Sequence, residues 1–204
     1  MNKYLATLLM LCSYSLHAII TIEREITPKK PLQTRSRAIN DDAPAVVAIT
    51  DELPVICRAV QAQVLLDLNC LSDAWLERLV LDDCLYIGVA SDPEVIAVQR
   101  KHVADDARFL CLNVLHDPLP KADIVFCHGL FEKLGDQARS ALIKNIHESG
   151  AELLLVAMTN AQLDRLQKGG CAPLVLLDAS KDKGPRKGLY ALWLVEDLYT
   201  QFVA

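Results

Sequence analysis

The fold is decided by a short stretch, residues 64–75, which reads VLLDLNCLSDAW. Together with Gln63, its first residues to Leu68 form a largely apolar run, which is typical of a parallel strand covered on both faces. Ser72 can cap a helix through Val80, whose buried side is expected to carry Trp75, Leu76, Leu79 and Val80. A buried strand that runs straight into a helix is the first step of a β–α repeat.

The same alternation continues on both sides of this stretch. Acidic residues in the first turn predict a helix over residues 51–60, and an Asp-Pro-Glu sequence predicts another from Asp92. Further helices are predicted over 136–148, where Gly150 ends the helix, and over 161–167. The predicted strands are residues 63–68, 85–89, 108–113, 122–127, 152–158, 173–177 and 189–195. This order predicts an α/β fold with a doubly wound, mostly parallel, Rossmann-like sheet and helices on both faces.

The first 20 residues have the layout of a signal peptide or an N-terminal anchor. Lys3 precedes an apolar run from Leu5 to Leu11, and a more polar segment then ends at Ala18, a candidate cleavage point. An uncleaved anchor over residues 4–20 would be at the short limit for crossing a bilayer. We therefore expect an exported or membrane-anchored protein. A buried helix of a cytoplasmic protein is the alternative.

The next segment, residues 21–50, is predicted to be a linker. It contains Pro28, Pro31 and Pro44, several charges and no sustained hydrophobic period. The folded domain is then expected over residues 51–204, where strands and helices alternate.

Composition narrows the possible functions. The 204-residue chain has a formal net charge of −5 and only 5% aromatic residues, so we expect no nucleic-acid partner. Its seven cysteines form no C-x-x-C pair and no zinc-like spacing with histidine, so no metal site is expected. Several of these cysteines lie in apolar runs and are interpreted as small buried hydrophobic residues.

Ligands of such sheets bind beyond the carboxyl ends of the strands, at the point where the strand order reverses. In this region, residues 64–75 resemble the first motif of class I S-adenosylmethionine-dependent methyltransferases, which usually reads Asp-Leu-Gly-Cys-Gly-Ser-Gly. Residues 86–90 resemble the second strand of that family, and residues 109–114 and 117–127 resemble its third and fourth strands. The resemblance implies S-adenosylmethionine as the cofactor. It places eight residues around this methyl donor: Asp67, Asn69, Leu71, Asp73, Ala90, Asn113, Val114 and Cys127.

The sequence departs from the family pattern at several of these positions. Asn69, Leu71 and Asp73 stand where glycines would let backbone amides approach the donor, so their side chains narrow that approach. Ala90 stands where the family has an acid that accepts the ribose hydroxyls, although Asp92 follows closely. Weakened donor binding is therefore expected.

These observations lead to two main functional hypotheses. The first is a methyltransferase-like protein acting on a small-molecule acceptor, and the alternative is a non-catalytic pseudoenzyme that serves as a binding or interaction module. An NAD-dependent enzyme is disfavoured because no G-x-G-x-x-G is present. His128, which follows the fourth strand, is the best candidate for acid–base chemistry, whereas Cys70 is interpreted as a small turn residue.

Overall fold

The structure is a computed structural model that describes residues 44–70, 76, 79–102, 107–178 and 189–203. Within these residues the helices are α1 (Pro44–Ala59), α2 (Pro93–His102), α3 (Asp136–Glu148), α4 (Asn160–Lys168) and α5 (Val195–Phe202), with a 3-10 turn at Phe131–Lys133. The strands are β1 (Val64–Leu68), β2 (Leu85–Ala90), β3 (Ala107–Cys111), β4 (Ile124–Cys127), β5 (Leu153–Met158), β6 (Val175–Asp178) and β7 (Leu189–Leu194).

The strands form one sheet of seven in the order β3-β2-β1-β4-β5-β7-β6. Strands β1 to β5 pair in parallel with one another, whereas β7 is antiparallel to both β5 and β6. The chain builds outward from β1 to β3 and then returns to place β4 on the other side of β1. This reversal confirms the predicted doubly wound, mostly parallel sheet.

Helices cover both faces of the sheet because alternate strand residues point to opposite sides. On one face, the apolar side of α1 packs with sheet residues such as Leu65, Tyr86 and Phe126. On the other face, α3, α4 and α5 pack with residues such as Leu66, Val125 and Trp193. The central strands are therefore buried on both sides, as their largely apolar sequences predicted.

Helix α1 begins earlier than expected, because Pro44–Ala59 includes the last residues of the predicted linker. Proline is well tolerated in the first turn of a helix. Pro44 therefore starts this helix, although the sequence predicted that it belongs to the linker. Pro54 lies inside α1. Buried residues lie on both sides of it, among them Ile49, Leu53 and Val60, and their packing supports the helix through the proline.

Two strands are shorter than predicted for reasons that the structure makes clear. Strand β3 ends at Cys111 because Asn113 begins a tight turn, in which the amides of His116 and Asp117 donate to the Asn113 carbonyl at 3.0 and 2.8 Å. Strand β4 begins at Ile124 because Asp123 uses its carboxylate to accept hydrogen bonds from the amides of Gln63 and Val64. The tail of the last predicted strand is also wrong, since Val195 starts helix α5.

Several predictions fall on residues that the structure does not describe. The predicted helix over residues 72–80 is described only at Leu76, which is helical and buried, and at Leu79 and Val80, which are not helical. The helix therefore ends before Val80. The predicted signal or anchor at residues 1–20 also lies outside the described part, in which no helix is long and apolar enough to span a membrane.

Candidate functional site

The carboxyl ends of β1, β2, β3 and β4 meet at one edge of the sheet. Leu68 pairs with Val89 on one side and with Cys127 on the other, and Ala90 pairs with Cys111. The strand order reverses between β1 and β4, which is where doubly wound sheets bind their ligands. We call this region, formed by residues 68–70, 89–92, 111–117 and 128–129, the switch-point edge.

The end of β1 turns sharply at Asn69. Its backbone lies in the left-handed region with a φ of 81°, and the amides of Asn69 and Cys70 both donate to the Val89 carbonyl at 2.8 and 3.0 Å. A residue with a Cβ is strained in this region by an amount on the order of 1 kcal/mol, although asparagine tolerates it better than most. The expected strain at a family glycine position is thus found at Asn69. Leu71 and Asp73 lie outside the described residues.

Asp67 lies in the core, below the turn. Its Oδ2 accepts a hydrogen bond of 2.6 Å from the Tyr86 hydroxyl, and only 2% of the residue is exposed. Burial raises the pKa of Asp67 from 3.8 to about 7, against the lowering effect of the Tyr86 hydrogen bond. In this structure the Asp67 carboxyl group is therefore bound to Tyr86 of the neighbouring strand β2.

At the end of β2, the candidate carboxylate caps a helix. Ala90 is buried, and the nearby Asp92 accepts a hydrogen bond of 2.8 Å from the Glu94 amide through its Oδ1, which caps helix α2. The carboxylate that the sequence placed within reach of the ribose therefore serves the helix. Gln99 of α2 is also buried here, and its Nε2 lies 3.5 Å from the Cys70 carbonyl oxygen, a contact that the sequence did not suggest.

Gly88, within β2, shows how closely this region is packed. A Cβ at Gly88 would lie 2.9 Å from two ring atoms of Phe109 and 3.0 Å from Cys70 Sγ. The Phe109 ring and the Cys70 thiol thus fill the space above the glycine. Cys70 is completely buried, in agreement with its interpretation as a small structural residue.

The loop after β3 is held by its own hydrogen bonds. Asn113 Oδ1 accepts from the Leu115 amide at 3.1 Å, and the Asn113 amide donates to Asp117 Oδ2 at 2.7 Å. Asn145 of α3 donates to the carbonyls of Val114 and Asp117, both at 2.8 Å. An amide oxygen can accept two hydrogen bonds, so Asn113 keeps capacity for one more acceptor contact.

The end of β4 brings together two residues of different character. Cys127 is fully buried, and burial raises its pKa to about 12, so it is a neutral core thiol. His128 follows it at the surface, and its ring stacks with those of Phe126 and Tyr190 at centroid distances of 6.2 and 5.8 Å. Burial by these neighbours and then the Lys133 charge lower the pKa of His128, so its imidazole is neutral at pH 7.

Tyr190 of β7 was not identified from the sequence. Its hydroxyl lies 2.9 Å from His128 Nδ1, although β5 separates the two strands. Tyr190 pairs with Ala157 of β5. No local sequence pattern could predict this contact, because 62 positions separate the two residues.

The structure thus gathers only part of the predicted site. Asn69, Ala90, the loop of Asn113 and Val114, and His128 lie at the switch-point edge. Asp67 and Cys127 lie in the core, where they belong to opposite faces of the sheet. No group of three metal-ligating side chains occurs among the residues that the structure describes.

Sequence comparisons give no relative for this chain: no family model matches it, and no curated protein matches it. Comparison with solved structures, in contrast, gives many matches. The N-methyltransferase NodS from Bradyrhizobium japonicum WM9 matches 76% of this chain and 98% of its own, with a TM-score of 0.56 at 14% identity.

Magnesium protoporphyrin IX methyltransferase (ChlM) from Synechocystis PCC 6803, solved with bound SAM, matches 94% of this chain and 98% of its own, with a TM-score of 0.57 at 14% identity. A 1,6-didemethyltoxoflavin-N1-methyltransferase from Burkholderia thailandensis, solved with bound 1,6-didemethyltoxoflavin and S-adenosylhomocysteine, matches 93% of this chain and 88% of its own, with a TM-score of 0.55 at 14% identity. The chain therefore has the fold of S-adenosylmethionine-dependent methyltransferases.

Proposed function

We propose that the protein is a methyltransferase-like protein that binds S-adenosylmethionine weakly at the switch-point edge and acts on a small-molecule acceptor. The observation that carries this proposal is the left-handed turn at Asn69, held against β2 by the Val89 carbonyl. In the family that the sequence resembles, glycines at this turn let backbone amides approach the donor. This chain has the left-handed turn, but asparagine stands where that family has glycine.

The left-handed backbone turn at Asn69 supports donor binding more than the neighbouring side chains do. Ala90 offers no oxygen to the ribose hydroxyls, and the Asp92 carboxylate already caps α2. Hydrogen bonds to a charged group contribute about 1.5–3 kcal/mol each, so loss of the ribose pair lowers affinity on the order of a hundredfold or more. Asn113 keeps one acceptor position for the adenine amino group.

His128 is our candidate for contact with the acceptor. It follows β4, and in the family that the sequence resembles the residues after the fourth strand face the methyl acceptor. Its neutral imidazole can take up a proton. The Tyr190 hydroxyl at 2.9 Å orients the ring, which stacks with the rings of Phe126 and Tyr190. A small acceptor fits this arrangement better than a nucleic acid, because the chain has a net charge of −5.

A second candidate is a non-catalytic binding or interaction module. It is favoured because polar side chains at the switch-point edge already bind other parts of the chain: Asp92 caps a helix and Asn113 closes a turn.

We also propose that residues 1–20 direct export or membrane attachment, with a cytoplasmic protein as the alternative. Export would favour the second candidate because the methyl donor is made in the cytosol. Intact-mass measurement of the native protein tests cleavage after Ala18.

Titration calorimetry of the full chain with S-adenosylmethionine separates the two candidates. We expect weak heat in the wild type and at least tenfold tighter binding in Ala90→Asp, which restores the ribose acceptor. Ala97→Asp is the matched control, because it adds the same charge on the exposed side of α2. Ala90 is buried, so a melting curve must show that the variant is folded. No heat in any variant at millimolar donor would reject the methyltransferase proposal.

A further inference from the structure

The opposite edge of the sheet contains a cleft of about 440 Å³ at the amino ends of β1 and β2. Its walls come from the end of helix α1, the turn that follows it and the loop before β2. Cys57 and Cys84 are among the residues that line it. This cleft is distinct from the switch-point edge, because parallel strands place their amino and carboxyl ends on opposite sides.

Two thiols meet in this cleft. Cys57 lies on the inner side of α1 and is 3% exposed, whereas Cys84, just before β2, is half-buried. Both side chains line the same cleft, although the residues are far apart in sequence, and the interaction between the two thiols is the largest influence on the pKa of each. Both are free in this structure. The sequence suggested only small buried hydrophobic residues, so this pairing is a product of the fold.

The surroundings give the two sulfur atoms different roles. The interaction with the Cys57 thiol, aided by the Leu65 amide, lowers the pKa of Cys84, against the effects of burial and of the Asp123 charge. The same interaction and burial raise the pKa of Cys57. Cys84 is therefore the thiol that more readily forms a thiolate, and it is also the more accessible of the two.

We propose that Cys57 and Cys84 form a redox-active dithiol that reacts with small disulfides entering the cleft. The Cys84 thiolate attacks one sulfur of the disulfide, so that a mixed disulfide forms and one small thiolate leaves. Cys57 then gives up its proton and attacks Cys84 Sγ, which releases the second small thiol. The two protein thiols are oxidised to one disulfide, and the small disulfide is reduced to two thiols.

The product would join the end of α1 to the start of β2 and so close the intervening chain, which contains β1. A link of this kind restricts the unfolded chain and stabilises the fold. The cleft lies on the edge away from the proposed donor site, so the reaction stands independently of the proposed methyltransferase function.

The test treats the reduced full chain with excess oxidised glutathione and maps the cysteines by peptide mass after alkylation. We expect a Cys57–Cys84 disulfide in the wild type. Cys57→Ser should stop at a glutathione adduct on Cys84, because the second attack is missing, and Cys84→Ser should leave Cys57 unmodified. Cys111→Ser, which removes an exposed thiol at the other edge, should still form the disulfide.

The melting temperature provides a second measurement. The oxidised wild type should melt roughly 5 °C higher than the reduced form, and the gain should vanish on addition of dithiothreitol. A wild-type chain that keeps both thiols reduced under conditions that modify Cys111 would overturn the proposal. The same holds if Cys57→Ser collects no adduct on Cys84.

Discussion

The two edges of the sheet are formed by the same central strands, yet they use their polar groups in different ways. At the switch-point edge, Asp92 caps a helix, Asn113 closes a turn and His128 contacts Tyr190. At the amino edge, two thiols line one cleft, with Cys84 half-buried and Cys57 buried behind it. The comparison teaches that the ligand-binding edge of a fold can become internally satisfied while reactive groups gather at the other edge.

The largest expected effect concerns Asp67, at the carboxyl end of β1. Its folded-state pKa of about 7 exceeds its ordinary value of 3.8, so the bound proton stabilises the fold at low pH. This contribution is lost as pH rises from about 4 to about 7, and its size is on the order of 4 kcal/mol. Asp67→Asn keeps the Tyr86 contact without titrating, so its stability should be nearly flat over this range.

Urea unfolding between pH 4 and 8 measures this difference. Glu94→Gln, an exposed change near the same edge, is the control and should keep the wild-type slope. An unchanged slope in Asp67→Asn would show that Asp67 is not buried as a protonated acid, and the switch-point edge would then be less closed than described.

Gly88→Ala tests how tightly the switch-point edge is filled. The added Cβ would lie within 3.0 Å of Phe109 and Cys70, so we expect a loss of about 1–3 kcal/mol of unfolding free energy. Gly135→Ser is the control, because no atom lies within 4 Å of its new Cβ and serine is a good N-cap for α3. Equal stability of Gly88→Ala and wild type in chemical denaturation would mean that this region is loosely packed.

Asn145→Ala tests the support of the loop after β3. The variant removes two hydrogen bonds to the carbonyls of Val114 and Asp117, which should cost about 1–2 kcal/mol. Amide hydrogen exchange of residues 113–117 should become faster, whereas the exposed neighbouring change Lys144→Ala should leave it unaltered. If exchange in the loop does not respond, the loop is held by other contacts.

The smallest effects compare the two edges directly, because each has one strained residue. Gln61 at the amino edge has a φ of 55°, and Asn69 at the switch-point edge has a φ of 81°. Glycine at either position relieves the strain, by about 1 kcal/mol for Gln61 and less for Asn69, because asparagine tolerates this conformation better. Thermal melts measure both changes. Only Asn69→Gly should also tighten S-adenosylmethionine binding, and tighter binding in Gln61→Gly would break the comparison.

Local patterns predicted the fold well, and the bounds of α3 were predicted without error. An amphipathic period and Gly150, with its φ of 77°, were sufficient there, because both signals are local. Strand ends were less predictable, since the end of β3 depends on the bonds of Asn113 to Asp117 and Leu115. Pro44 was misread because proline both breaks and begins helices.

The site was harder to predict because its decisive contacts join distant parts of the chain. Sequence located the edge correctly and identified Asn69, Ala90 and His128 there. It could not show that Tyr190 reaches His128 across β5, or that Asp67 lies against Tyr86 in the core. The pairing of Cys57 with Cys84 likewise depends on how α1 packs beside β2.

The position of β7 has a consequence for how the protein is made. This strand lies between β5 and β6, although it is synthesised after both. Until residues 189–194 leave the ribosome, β6 has no strand to pair with. During this time β5 is an edge strand whose unpaired backbone groups can promote aggregation. Completion of the sheet is therefore expected to follow the translation of β7, so a chaperone would be needed most just before that moment.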